Sequence, residues 1–289
     1  MILIGLSTLI ILTSITASGI GLAAADRLTE DSLQRLTGIA SGLLLGSALL
    51  VVLPEGFHMA SRQDGLAYSP LALGSAVAGG FIFMLILEGM GLSHAIHEEH
   101  HDHHAGHGHG HVHHPKSGLV MAVGLSMHAI GDGLAIGAAT ASGQTSISVL
   151  VAFGVLVHRV PAALSLGVFS SHETATRKSI SSGLLLFALA TPAGAISAYF
   201  VLDDASGPLV GVVLLFSAGT FIYVTTVDTL PSIHNPETGP RSARIVVVSA
   251  ALFAAALFAL NTAGVLEHGQ HDQNGQQYSD LSKPLDGGV

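Results

Sequence analysis

The stretch that decides the fold is MHAIGDGLAIGAA at residues 127–139, a run of small and apolar residues with two ionisable side chains inside it. The surrounding residues 118–142 are apolar over the length of about 20 residues that a helix needs to cross a bilayer core. An ionisable group inside such a span costs at least about 2.5–3.5 kcal/mol on insertion scales. His128 and Asp132 are therefore functional candidates by position alone.

Seven further apolar stretches of similar length accompany this one, so the sequence predicts eight spans, numbered one to eight in chain order. Their predicted bounds are 1–25, 36–61, 71–93, 118–142, 145–171, 179–201, 207–231 and 243–266. The expected fold class is all-α, a polytopic membrane protein with eight transmembrane helices. Three alanines at 23–25 resemble a signal-peptide cleavage site, but the long apolar run without a basic start favours a first span.

The composition agrees with a membrane protein. The 289 residues are 49% hydrophobic with a mean hydropathy of +0.61, and 10% are Asp, Glu, Lys or Arg. Soluble domains carry roughly 25% of such residues, so the charge is too sparse to cover a soluble surface. A net charge of −9 argues against nucleic-acid binding. Cysteine is absent, which excludes disulfides and thiolate metal sites, whereas histidine occurs 18 times.

Most of these histidines lie in one low-complexity segment, which holds 11 of them between residues 94 and 114. Imidazole is the commonest metal ligand, so we interpret the segment as a metal-capturing tether, with a pH-responsive charge cluster as the alternative. The expected organisation is one transmembrane domain over 1–267, interrupted by a disordered cytosolic loop at 94–116 and followed by a disordered extracytosolic tail at 268–289. The candidate ligands in the loop are His100, His101, His103, His104, His107, His109 and His111.

Basic residues set the expected orientation, because they accumulate on the cytosolic side of a membrane. With eight spans, both termini lie on one side, together with Arg62 and Lys283. The opposite side carries seven basic residues, Arg27, Arg35, Lys116, Arg177, Lys178, Arg241 and Arg244. Both termini are therefore expected to be extracytosolic, in a cell or organelle membrane.

Spans four and five carry the strongest candidates for a metal site. His128 and Asp132 are four residues apart and project from one helix face, where imidazole and carboxylate could bind a divalent cation. A hydrogen bond that merely tethers two helices is the alternative. Span five adds His158, three residues before Pro161, and a proline at mid-membrane frees a backbone carbonyl. A lone buried histidine is more often a hydrogen-bonded core residue, so both interpretations of His158 stay open.

Spans two and seven end in sequences that resemble each other weakly. Span two ends in VVLPEGFH at 51–58 and span seven in VDTLPSIH at 227–234, each with a Leu-Pro step, a carboxylate and a histidine. The candidates for a pathway or an auxiliary metal site are Glu55, His58, Asp228 and, near the end of span three, Glu88. The alternative is that all four are polar residues at the membrane interface.

Together these residues resemble the ZIP (Zrt/Irt-like) family of divalent-metal transporters over nearly the whole chain. The family's fourth-span motif HxxxDG is matched at 128–133, and its fifth-span motif HExPEG is matched in register at 158–163. LPEG at 53–56 and FSAGTFIYVTTVDTLP at 216–231 resemble its second and seventh spans. The fifth span is most similar to the branch with H-[RK]-x-P-A. The resemblance implies a 3+2+3 inverted-repeat arrangement and uptake towards the cytosol.

The departures from the family pattern predict one metal site where many members build two. Ala129 replaces an Asn, while Arg159 and Ala162 replace two acidic residues. A second divalent ion would lack negative charge, and Arg159 would repel it. We therefore expect a single site on His128, Asp132 and His158, completed by water or by a residue of span two. Arg159 would take the place of the second metal or pair with Asp132 or Asp228.

The expected function is transport of a divalent metal ion, zinc first, with Fe²⁺, Mn²⁺, Cd²⁺ and Co²⁺ as acceptable ions. No catalytic residue and no cofactor beyond the transported ion is expected. The partners are the ion and the lipid bilayer, and a homodimer is left open. A metal-sensing receptor of the same fold with little flux is the main alternative. An intramembrane metalloenzyme would need an HExxH motif inside a span, whereas HEEHH at 97–101, which matches that pattern, lies in the histidine-rich loop. Diffusion-facilitator exporters usually have six spans.

Overall fold

The computed structural model of the chain describes residues 1–60, 68–89, 118–172, 177–203, 205, 207–234, 236 and 238–263. All regular secondary structure in these ranges is helical. The α-helices are α1 Ile2–Ala24, α2 Glu30–Ser47, α3 Leu53–Ala60, α4 Pro70–Gly89, α5 Gly118–Ala141, α6 Thr145–His172, α7 Arg177–Leu202, α8 Gly207–His234 and α9 Gly239–Thr262. A 3₁₀ turn at Ala25–Arg27 follows α1.

Eight helical stretches among the described residues are long and apolar enough to cross a membrane, which confirms the eight predicted spans. Span two consists of α2, a π-helical stretch at Ala48–Val52 and α3, and each other span is a single helix. Because the exposed faces of these helices are apolar, the protein is an integral membrane protein. The 3+2+3 inverted-repeat arrangement and the domain bounds stay predictions.

Local sequence explains several helix ends. The Thr29 side chain caps α2 by accepting a hydrogen bond from the backbone N–H of Ser32 at 3.2 Å. Gly143 adopts a φ of +74° in the short turn between α5 and α6, a backbone region that favours glycine.

Pro161 does not interrupt α6, which continues from Thr145 to His172. The irregular backbone occurs instead in span two, where the π-helical stretch precedes Pro54.

Helix pairing divides the spans into two groups. The most extensive contacts join α5 to α7, α1 to α6, α4 to α8 and α2 to α9. Spans one, four, five and six therefore pack together, as do spans two, three, seven and eight. Close approach of α5 to α7 depends on Gly133, because a Cβ there would lie 2.2 Å from the carbonyl oxygen of Thr191. The two groups meet where α5 faces α8 and α6 faces α2.

The buried core is unusually polar at the centre of the first group. Four ionisable side chains from spans four and five are buried there: His128, Asp132, His158 and Arg159. The outermost helix, α9, instead presents large apolar side chains outward, as a lipid-facing surface requires. The fold thus brings the four buried ionisable side chains of spans four and five to one place between these two spans.

Candidate metal centre

Three predicted ligands, His128, Asp132 and His158, come together in the core, and we call them the ligand triad. Their ligand atoms all lie within 4.8 Å of one another. The residues are 7%, 1% and 4% exposed, respectively. Among the described residues, this is the group of three or more His, Cys, Asp or Glu side chains that could hold a metal ion. The helical spacing of His128 and Asp132 and the packing of α5 against α6 create it.

The distances within the ligand triad leave room between its atoms. Asp132 Oδ1 is 3.4 Å from His128 Nε2, and Asp132 Oδ2 is 3.4 Å from His158 Nε2. A direct N–H···O hydrogen bond is normally 2.7–3.2 Å long. Within the described residues, Asp132 Oδ1 accepts no hydrogen bond although it is buried. The three ligand atoms are therefore close enough to share a cation.

One hydrogen bond orients His158 towards the other two residues. His158 Nδ1 lies 3.0 Å from the carbonyl oxygen of Gly154, one turn earlier in α6. A carbonyl oxygen only accepts, so Nδ1 carries the proton and Nε2 presents its lone pair to the triad. Metal-binding histidines are commonly fixed in this way by a second hydrogen bond. His158 is therefore buried and hydrogen-bonded, yet still offers a ligand atom.

Arg159 lies beside the ligand triad in a separate pocket, which we call the arginine pocket. Its Nε donates to Ser14 Oγ, Nη1 to Thr191 Oγ1 and Nη2 to the carbonyl oxygen of Phe187, each at 2.6 Å. The guanidinium also lies over the Phe187 ring, 4.2 Å from its centre. Arg159 Nη1 is 3.7 Å from Asp132 Oδ2. The predicted pairing with Asp132 is thus present as a long ion pair, while the Asp228 side chain is outside the described residues.

A second layer of hydrogen bonds fixes the arginine pocket. Thr191 Oγ1 donates to the carbonyl oxygen of Ala129 at 2.8 Å, which ties span six to span four. Ser14 Oγ donates to the carbonyl oxygen of Ile10 at 2.7 Å within α1. Both hydroxyls therefore accept from Arg159 and donate onward. The two hydroxyls that bind the guanidinium are thus held by hydrogen bonds of their own, which fixes the position of the cation.

Phe221 of span seven closes one side of the ligand triad. Its ring centre is 6.4 Å from that of His128 and 6.1 Å from that of His158, at angles of 69° and 61°. The side chain is fully buried. This residue was not among the candidates predicted from the sequence. The signal that could have found it is its position in the sequence stretch 216–231 that resembles the family's seventh span.

Among the described residues, Glu55, His58 and Glu88 do not belong to the ligand triad. His58 Nδ1 is 3.6 Å from Glu55 Oε1 in α3, and the His58 side chain is 52% exposed. Glu88 near the end of α4 accepts a hydrogen bond from the hydroxyl of Tyr223. Asp228 belongs to α8, but its side chain is outside the described residues. The candidate histidines of the loop at 94–116 also lie outside them.

Comparison with known proteins gives a consistent result along the chain. The family model described as ZIP zinc transporter matches residues 1–118 and 92–262. Zinc transporter ZIP9 of Xenopus tropicalis is 31% identical over 277 residues, covering 82% of this chain and 88% of that protein. Zinc transporter ZIP9 of Micropogonias undulatus is 32% identical over 252 residues, covering 71% and 77%. Zinc transporter ZIP2 of Homo sapiens is 34% identical over 141 residues, covering 45% and 44%.

Proposed function

The chain belongs to the ZIP zinc transporter family, and on that premise we propose that it carries one divalent ion at a time towards the cytosol through the ligand triad. Like the family, it transports a divalent metal ion, zinc, across a membrane, and it is not an enzyme. The metalloenzyme alternative is therefore excluded. The observation that carries the proposal for the site is the buried approach of His128, Asp132 and His158, with ligand atoms within 4.8 Å.

The charge around the ligand triad supports a single ion. Asp132 supplies one negative charge, and Arg159 supplies one positive charge 3.7 Å away. A second divalent ion beside Asp132 would share that carboxylate with a guanidinium held by three hydrogen bonds. Repulsion between buried like charges is strong because little water screens them. We therefore propose that Arg159 takes the place that a second ion would need.

The number of protein ligands supports reversible binding. Structural zinc sites use four protein ligands and hold the ion permanently, whereas sites with three ligands keep one position open for water or substrate. The ligand triad offers three ligand atoms. A carrier must release its ion, so an incomplete site suits transport better than a closed one. Zinc is the proposed main substrate, with Fe²⁺, Mn²⁺, Cd²⁺ and Co²⁺ as weaker candidates.

The direction of transport rests on the proposed orientation of the membrane domain. Asp31 at the start of α2 contacts Arg35 at 2.7 Å and Arg241, at the start of α9, at 2.8 Å. These basic groups therefore lie at one end of the bundle. Arg177 begins α7, and the predicted topology places it at the same end. Accumulation of basic residues supports a cytosolic location for that end and an extracytosolic one for both termini.

The orientation can be tested with single introduced cysteines because the chain has none of its own. Ser142→Cys, in the turn after α5, should react with an impermeant thiol reagent from outside intact cells. Lys178→Cys, near the start of α7, should react only after permeabilisation. The reverse pattern would overturn the proposed direction while leaving the site unaffected. A homodimer and the narrower family branch also stay predictions.

The site is tested by uptake of radiolabelled zinc into proteoliposomes that contain the purified full-length chain. We expect uptake by the wild type and none above background for the double variant His128→Ala, Asp132→Ala. His234→Ala, an exposed histidine at the end of α8, is the matched control and should leave uptake unchanged. Equal uptake by the double variant would refute the site. Zinc binding without uptake by the wild type would favour the receptor alternative.

A further inference from the structure

We propose that Phe221 determines which divalent ions the site accepts, because its ring lies against both imidazoles and limits the number of waters that a bound ion can keep. The inference rests on the proposed function of the ligand triad. It concerns the side of the triad that the three ligands do not cover. There span seven, which supplies no triad ligand, places an apolar surface against both imidazoles.

The ring of Phe221 lies against both imidazoles of the triad. It approaches His128 at 6.4 Å and His158 at 6.1 Å between ring centres, and it is steeply inclined to both. A phenyl ring has no group that can bind a metal ion or hold a water in its hydration shell. Any ion between the two histidines therefore meets hydrocarbon on this side.

The neighbouring residues hold the ring in place. Gly131 lies between the two span-four ligands, and a Cβ there would be 3.3 Å from Thr220 Oγ1. Thr220 Oγ1 in turn donates to the carbonyl oxygen of Ser217 at 2.8 Å. Span seven thus approaches span four closely at the level of the triad. Phe221 also belongs to a fully buried apolar cluster with Val155 and Ala218, so the ring cannot move aside without opening the core.

This arrangement selects ions by coordination number. Zinc readily takes four ligands in a tetrahedron, so the three triad ligands and one water satisfy it. Manganese and magnesium prefer six oxygen-rich ligands and would have to keep several waters. The order of intrinsic affinities does not decide selectivity among divalent ions, so geometry has to. A rigid apolar surface against two ligands penalises ions that need a larger hydration shell.

The first test is a comparison of zinc and manganese uptake in proteoliposomes. Phe221→Ala should lower the ratio of zinc to manganese kcat/KM by about tenfold or more, because the space it opens admits additional waters. Phe221→Val should change the ratio in the same direction, and Phe221→Leu should retain it. Phe253→Ala is the matched control, since Phe253 belongs to the same apolar cluster but stacks on Phe153. Equal losses of uptake for both ions, as expected of a purely structural residue, would overturn the proposal.

The second test uses the visible spectrum of bound Co²⁺, which is intense for four ligands and weak for six. The difference spectrum between the wild type and Asp132→Ala removes the contribution of the histidine-rich loop. We expect an intense difference spectrum for the wild type and a weak one when the same subtraction starts from Phe221→Ala. An intense spectrum that Phe221→Ala leaves unchanged would refute the role of Phe221 alone. No Asp132-dependent spectrum in the wild type would refute the proposed site itself.

Discussion

The arginine pocket and the ligand triad lie side by side, and they differ in how completely their polar groups are bonded. In the arginine pocket, three guanidinium nitrogens each donate at 2.6 Å, and two of the acceptors donate onward. In the ligand triad, the carboxylate is 3.4 Å from each imidazole, and Asp132 Oδ1 accepts no hydrogen bond among the described residues. The guanidinium nitrogens of the arginine pocket thus all donate hydrogen bonds, whereas one carboxylate oxygen of the ligand triad has none among the described residues.

This difference suggests how the same pair of helices combines a permanent charge with an exchangeable one. Burial of an arginine is tolerable when hydrogen bonds and a counter-charge replace its hydration. Burial of a carboxylate oxygen without a hydrogen bond, such as Asp132 Oδ1, is costly unless a cation binds it. We therefore expect Arg159 to stabilise the fold, and the ligand triad to bind the transported ion as proposed. Changes in the two regions should consequently affect different properties.

The largest effect on transport is expected from His128→Gln, which keeps the size of the side chain but removes the imidazole ligand. Zinc uptake should fall by about 100-fold or more, since two ligands cannot hold the ion against water. The melting temperature should change much less than uptake. Both quantities are measured on the same purified preparation. A large loss of thermal stability with normal uptake would invert the proposed division between the two regions.

The largest effect on stability is expected from Arg159→Met. The change leaves two hydroxyls and one carbonyl oxygen without their donor and leaves Asp132 without its neighbouring cation. Such losses at buried groups cost about 3–5 kcal/mol. Thermal unfolding in detergent measures the loss. Arg244→Met is the control, because Arg244 is exposed and bonds only within its own helix turn among the described contacts. Equal stability of the two variants would show that the arginine pocket does not stabilise the fold.

A smaller effect is expected from Thr191→Val, which keeps the shape of the side chain but removes the hydroxyl between Arg159 and the Ala129 carbonyl. The destabilisation should be about 1–3 kcal/mol, the usual cost of leaving a buried partner unsatisfied. Thr191→Ser restores the hydroxyl and should recover most of the stability. The KM for zinc should change little in either variant. A strong change in KM with unaltered stability would place Thr191 in the ion site instead.

The smallest effect is expected at the end of the bundle, in the cluster of Asp31, Arg35 and Arg241. The hydrogen bond from Arg35 and the nearby Arg241 hold the pKa of Asp31 below its usual value. A carboxyl with a depressed pKa stabilises the fold above its unfolded pKa, and that contribution disappears only as the pH falls through the folded value. Asp31→Asn should therefore change the melting temperature little and equally at pH 6 and pH 8. A strong pH dependence in that interval would contradict this assignment.

The sequence predicted the spans well because apolar length is a local property. Span four was expected at 118–142 and is Gly118–Ala141, and span seven was expected at 207–231 and is Gly207–His234. The common face of His128 and Asp132 followed from helical spacing. Pro161 lies inside a continuous α6, where it still lacks the backbone N–H that would bond one turn earlier. The π-helical stretch at Ala48–Val52 had no signal in the composition of span two.

The surroundings of the site could not be predicted because they come from distant parts of the chain. The groups that hold Arg159 lie 145, 32 and 28 residues away, on spans one and six. Serine and threonine are common in membrane helices, so neither Ser14 nor Thr191 is distinctive in sequence. Phe221 is one apolar residue among many in span seven. Only the packing of the helices reveals which of these side chains reach the ionisable residues of spans four and five.

The central claim is that the ligand triad binds one ion because Arg159 takes the place of a second. The most direct test is the number of zinc ions that the purified full-length chain binds, minus the number bound by Asp132→Ala, in which the histidine-rich loop is unchanged. Equilibrium dialysis with radiolabelled zinc gives both numbers. We expect a difference of one ion per chain. A difference of two would contradict the claim, since both ions would then depend on the carboxylate beside Arg159.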